Sequence, residues 1–140
     1  MNVGIFIFKD VEVLDMAGPF EVFSLAEKDG KKAFNVFTIA EHNNILTARN
    51  GLLLKPNYTL QNHPNLDILI IPGGYGAEHI ELKNASILKW VKLQSQNVNF
   101  LLSICTGVFI LAECGLLQNK QATTHWMDLD RLEEEYPQVK

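Results

Sequence analysis

Phe100-Leu101-Leu102-Ser103-Ile104-Cys105-Thr106-Gly107 places a thiol where an apolar run meets the start of a helix. This is the grammar of a nucleophile elbow, a tight strand-to-helix turn that lifts one side chain out at the top of a sheet. Such a turn needs small residues two places before and two after the nucleophile, and Ser103 and Gly107 are small. The free N–H groups of the following helix would favour a thiolate on Cys105. The chemistry to expect is nucleophilic attack by Cys105 on a small electrophile.

Other candidates gather around that thiol. Gly73 and Gly74 follow an apolar run and could bring backbone N–H groups to a ligand, forming an oxyanion hole with the N–H of Thr106. A plain strand-end turn is the simpler account of the same glycines, and Gly73-Gly74-Tyr75-Gly76 lacks the lysine of a phosphate loop. Asp15 could move a proton beside the thiol or merely cap the helix ahead of Pro19. Glu21 competes for the same role, and spacing does not separate the two. His125, after Ala122-Thr123-Thr124, is a further candidate at a strand end. His42, His63 and His79 lack metal-ligand spacing, and no metal or cofactor is expected.

The elements that must position these residues alternate. Strands are expected at Asn2–Phe8, Phe34–Ala40, Leu66–Ile71, Phe100–Ile104 and Gln121–His125. Helices are expected near Pro19–Asp29, Asn84–Gln96, Thr106–Glu113 and Asp128–Tyr136. Asn50-Gly51 marks a β-hairpin between Thr47–Asn50 and Leu52–Lys55, and Gly115 ends a helix. Pro19 suits a first helical turn, and the acids after Asp128 read as a solvated face. The expected fold is a flavodoxin-like, doubly wound α/β sandwich with a mostly parallel sheet, filling one domain over residues 1–140. Its ligand crevice would lie beyond the carboxyl ends of the strands, where the loop after the first strand, Pro72–Gly76 and Cys105 all fall.

The whole chain narrows the function class. A formal charge of −4 without a basic cluster offers no footprint for nucleic acid or an anionic membrane. The apolar runs are too short to span a bilayer, and the first residues read as a strand of a cytoplasmic protein. Cys105 and Cys114, if on one helix, stand about 13 Å apart along its axis, which suits two free thiols. Cys114 reads as a small buried hydrophobe.

Four separated pieces, in order, resemble the ThiJ/PfpI superfamily, the class I glutamine amidotransferase-like fold. They are Leu14-Asp15-Met16-Ala17-Gly18-Pro19-Phe20-Glu21-Val22-Phe23, Pro72-Gly73-Gly74, Ser103-Ile104-Cys105-Thr106-Gly107 and Ala122-Thr123-Thr124-His125-Trp126. Cys-Thr-Gly followed by Thr-His-Trp looks most like isonitrile hydratases and the sensor domains of AraC-type regulators. The hydratase resemblance implies attack of Cys105 on an isonitrile carbon and release of an N-substituted formamide from a thioimidate. It implies Asp15 as acid/base, Thr106 as a positioning residue, Gly74 and Thr106 as backbone donors, and a homodimer. Sensing of a small ligand, or reversible oxidation of Cys105 in a stress protein, are the other functions in view. Thr106 stands where peptidase-like members carry histidine, which argues against an adjacent Cys-His pair. The resemblance also implies a strand, a turn and a closing helix after Pro137. This sequence stops at Lys140, so an exposed sheet face or crevice wall is expected.

Overall fold

The apolar runs beginning at Asn2, Asn35, Ile68 and Phe100 pair as parallel strands in the computed structural model, which describes residues 1–140. In chain order the elements are β1 (Asn2–Phe6), α1 (Val13–Leu25), β2 (Glu27–Lys28), β3 (Lys31–Lys32) and β4 (Asn35–Ala40). There follow β5 (Leu46–Thr47), β6 (Leu53–Leu54), β7 (Tyr58–Thr59), β8 (Ile68–Ile71) and α2 (Tyr75–His79). The chain continues with α3 (Ala85–Ser95), β9 (Phe100–Ser103), α4 (Val108–Glu113) and α5 (Leu129–Glu135). No helix is long and apolar enough to cross a membrane.

The main sheet has the order β7-β4-β1-β8-β9, and every pair in it is parallel. From β1 the chain steps one way to β4, whereas from β8 it steps the other way to β9. Right-handed crossovers running in opposite directions put their helices on opposite faces, which makes the sheet doubly wound. The switch lies between β1 and β8, where a crevice opens at the strands' carboxyl ends. Both strands are buried on both faces: Val3, Ile5, Phe6, Leu69, Ile70 and Ile71 are all at or below 1% exposure. Gly4 is required by packing, since a Cβ there would come within 2.8 Å of Ile39 and 2.9 Å of Leu66. A smaller cluster joins α4 to α5 through Phe109, Leu132 and Tyr136, with the Arg131 guanidinium 4.5 Å above the Phe109 ring.

Several expectations shift. α1 starts at Val13, so Pro19 lies inside the helix rather than in its first turn. Proline has no N–H for the carbonyl of Asp15 one turn back, and Gly18 before it carries no Cβ to clash. The helix ends at Leu25, because Asp29 (φ 54°) and Gly30 (φ 71°) form a turn between β2 and β3. Asn50-Gly51 does turn a hairpin, but its paired strands are only two residues long. Tyr75 and Gly76 belong to α2 instead of a loop. Gln121–His125 is no strand: its Ala122 N–H bonds the carbonyl of Lys140, outside any ladder. Gly115 (φ 71°) closes α4 as expected, with the N–H of Leu116 reaching the Leu111 carbonyl and that of Gly115 reaching Ala112.

β9 departs most from its reading as a buried strand. It lies at the sheet edge, with Phe100 56% and Leu102 39% exposed, while Leu101 packs against the core. A continuous apolar run does not reveal which of its faces another element will cover.

One buried acid stands out. Glu81, 7% exposed, lies between α2 and α3 and accepts a hydrogen bond from the Asn84 amide, which also donates to Glu41. Burial, then the neighbouring Glu41 charge, push its carboxyl up to about 7, against an ordinary 4.5. The folded protein therefore holds a proton that the unfolded chain releases, and stability falls as pH rises from 4.5 to 7. The loss amounts to about 3 kcal/mol, complete above that window. Glu81→Gln should raise the melting temperature at about pH 8 and change it little near pH 4.5. Thermal melts at both values check this, and an equal effect at both would refute it.

Candidate active site

The elbow is built as its sequence requires. Cys105 has φ 53°, the left-handed region that side chains rarely occupy, and its thiol is partly exposed. The turn is held by main chain: the N–H of Ile104 bonds the Ile71 carbonyl, and that of Gly107 bonds Ile104. Gly107 passes so close to β8 that a Cβ would run into the carbonyl oxygens of Ile71 and Pro72. Thr124 adds a side-chain brace, its hydroxyl donating to the Cys105 carbonyl at 3.2 Å. Sequence reasoning gave Thr124 no role; its place beside His125 in the fourth motif was the available signal.

Asp15 is brought to Cys105 by a bonded loop. The N–H of Glu12 reaches the Gly73 carbonyl, Asp10 and Arg49 bond across to Thr47 and Val11, and Gly76 bonds Asp10. This lattice starts α1 at Val13 and sets Asp15 in its first turn, facing Gly73. Its Oδ2 accepts the Gly73 N–H at 3.2 Å. The thiol's interaction with the same carboxylate favours an ionised Asp15 and a protonated thiol.

Helical geometry separates Glu21 from Asp15. Six residues turn a helix by about 600°, far from the same face. Glu21 opens into a separate groove beside Thr38, Lys55 and Asn57, away from the thiol. Asp15 does not cap the helix; it lies inside it.

Gly73 and Gly74 do not form the expected oxyanion hole. The Gly73 N–H is committed to Asp15, and the Gly74 N–H to the Thr106 hydroxyl at 2.9 Å. These glycines serve close packing instead. A Cβ on Gly73 would stand 2.6 Å from the Thr106 nitrogen, and one on Gly74 (φ 124°) would stand 2.5 Å from the Asp10 carbonyl oxygen. The Thr106 N–H favours negative charge on the Cys105 sulfur.

The charge balance on sulfur also differs from the thiolate expected at a helix start. Burial pushes the Cys105 thiol up from its ordinary value of 9.0, and the Asp15 carboxylate adds to the rise. The N–H and hydroxyl of Thr106 oppose it without prevailing. The following helix has only six residues, so its dipole is short. Asp15 is raised as well, by burial first and by Glu12, against the Gly73 hydrogen bond and the pull of His125. Cys114 lies apart: it is 4% exposed, donates to the Leu88 carbonyl at 3.5 Å, and is pushed up to about 11 by burial.

Cys105, Asp15, Thr106, Gly74 and His125 share one cleft of about 710 Å³. His125 stands at its rim, its Nδ1 accepting the Met127 N–H at 3.4 Å and facing Asp128 at 3.6 Å. Arg49 and Asn50, from the turn between β5 and β6, form another wall that the sequence did not disclose. No three histidine, cysteine, aspartate or glutamate side chains converge as a metal site would require.

A family model for DJ-1/PfpI matches residues 1–139. The chain belongs to the DJ-1/PfpI family. It is 32% identical over 132 residues to the isonitrile hydratase of Pseudomonas putida, covering 94% of this chain and 55% of that protein. It is 24% identical over 139 residues to the HTH-type transcriptional regulator GbdR of Pseudomonas aeruginosa, covering 99% of this chain and 37% of the regulator. The chain therefore spans about half, or less, of the length of these relatives. Among solved structures, a ThiJ/PfpI family protein from Pseudomonas syringae superposes with a TM-score of 0.86 at 25% identity, over 99% of this chain and 55% of that one. Schizosaccharomyces pombe DJ-1 gives 0.79 at 22% identity, over 100% of this chain and 75% of that one, a likeness of fold. The DJ-1/PfpI fold expected from the motifs is the one observed.

Two predictions follow from this geometry. Asp15→Asn removes the negative charge beside the sulfur, so the midpoint of Cys105 alkylation by iodoacetamide should move to lower pH. An unmoved or higher midpoint would contradict the pairing. Thr106→Val keeps the shape but leaves the buried Gly74 N–H without its acceptor, and should lower unfolding free energy by about 1–3 kcal/mol in denaturant titrations.

Proposed function

We propose that this domain is a cysteine-dependent hydratase acting on a small isonitrile. The observation that carries the reading is the Cys105 thiol and the Asp15 carboxylate brought together in one open cleft at the elbow. The terminal carbon of an isonitrile bears a lone pair and must gain a proton as well as a sulfur bond. A free thiolate brings only the sulfur. A protonated thiol beside an ionised carboxylate brings both.

In the first half-reaction Asp15 takes the thiol proton and delivers it to the isonitrile carbon. The sulfur bonds to that carbon while one C–N π pair withdraws to nitrogen, giving a thioimidate. The Thr106 N–H and hydroxyl stabilise negative charge as it develops on sulfur. Water then adds to the thioimidate carbon, its proton reaching nitrogen through Asp15. The C–S bond breaks, the sulfur regains a proton, and an N-substituted formamide leaves. Thr124 holds the elbow throughout by its bond to the Cys105 carbonyl.

The match to GbdR over almost the whole chain supports a second reading, in which the same cleft senses a small ligand without turning it over. Oxidative signalling gains less support, since a raised thiol pKa lowers the thiolate fraction that peroxide attacks. Formamide release from a simple alkyl isonitrile separates the first two. Cys105→Ala should bring it to the uncatalysed rate, and Asp15→Ala should lower it about 10²–10⁴-fold. Unchanged turnover in Cys105→Ala would overturn the nucleophile, and an intact protein inactive on several isonitriles would favour sensing.

A further inference from the structure

The walls of the Cys105 cleft are lopsided in charge. Glu12, Asp15, Glu78 and Asp128 line it, and Arg49 is the only lysine or arginine among the lining residues. That guanidinium is 51% exposed and stands 3.8 Å from Glu12, so it is shared between solvent and a carboxylate already in the wall. Glu78 is offset from outside the cleft by Arg131 at 3.4 Å. Asp128 stands 3.6 Å from the Nδ1 of His125, which accepts the Met127 N–H, and the Arg131 charge acts on it from outside the cleft as well. Asp15 accepts its hydrogen bond from the uncharged Gly73 N–H, and the one cationic group that acts on it is His125.

We propose that this cleft admits small ligands bearing a positive charge in preference to anionic ones. A group brought to the sulfur meets Asp15 beside the thiol, with Glu12 and Asp128 on the walls around it. Walls of one sign focus the field and change local ligand concentration by about ten- to a thousandfold. The preferred class is a small electrophile with an ammonium or similar cationic substituent, followed by neutral ones; carboxylates and phosphates are disfavoured. The inference rests on Cys105 opening into this cleft, as the proposed function does, but needs no hydratase chemistry.

Methanethiosulfonate reagents test it on the intact protein. The sulfur of Cys105 attacks the reagent's sulfenyl sulfur, a disulfide forms, methanesulfinate leaves, and the thiol proton passes to solvent. Rates are measured for a reagent bearing a trimethylammonium group and one bearing a sulfonate, each divided by its rate with a free small thiol. Mass spectrometry of the Cys105 peptide keeps Cys114 out of the count. The cation should react at least about tenfold faster after this correction at low salt, with the ratio falling toward one near 1 M salt. Asp128→Asn combined with Glu78→Gln should lower the ratio several-fold. A corrected ratio of one or less, or one that salt leaves unchanged, would overturn the proposal. Neither outcome bears on formamide release, so this inference and the hydratase reading fail separately.

Discussion

Everything at the site depends on how closely the elbow approaches the end of β8. Parallel pairing sets Ser103 opposite Ile71, so the chain leaves both strands at the same height. The turn after Ser103 must then fold against the Ile71 and Pro72 carbonyls, where Gly107 leaves no room for a Cβ. That contact forces Cys105 into a left-handed backbone and lifts its side chain toward the crevice. It also brings Thr106 within reach of the Gly74 N–H, joining the elbow to the loop after β8. Strain at one residue is sustained because several bonds over-determine it.

The thiol's environment follows from the same crowding. Burial beside a carboxylate works against ionisation, and two hydrogen-bonding groups of Thr106 partly oppose it. The result is a proton-bearing pair in place of a free nucleophile. Such a pair suits reactions in which the substrate atom that receives sulfur must also receive a proton. Reactions that need only a standing thiolate are less well served.

Much of this was legible in the sequence, for identifiable reasons. The elbow was readable because its constraint is local: small residues at 103 and 107 around a single nucleophile. The strands β1, β4 and β8 were readable because they are short, apolar and rich in branched residues. Pairing across space was not. Asp15 and Glu21 are equivalent on paper and differ only through where α1 begins, which the Asp10–Glu12 bonds to other loops decide. Pro19 pointed to the wrong helix start because its missing N–H is tolerated mid-helix after a glycine. Free donors were inferred on Gly73 and Gly74 from residue type alone, whereas Asp15 and Thr106 had already claimed them. The edge position of β9 depends on its neighbours, so its hydrophobicity said nothing about it.

The β5–β6 hairpin meets the loop between β1 and α1 through main-chain hydrogen bonds, Asp10 to Thr47 and Arg49 to Val11. Those bonds are indifferent to which side chains the turn displays. Arg49 can therefore be exchanged, and the cleft wall recoloured, while the loop ahead of Asp15 stays in register; Asn50, at φ 65°, is held to the few residues that tolerate a left-handed backbone. The fold thus separates the part that sets reactivity from a part free to vary with the molecule received.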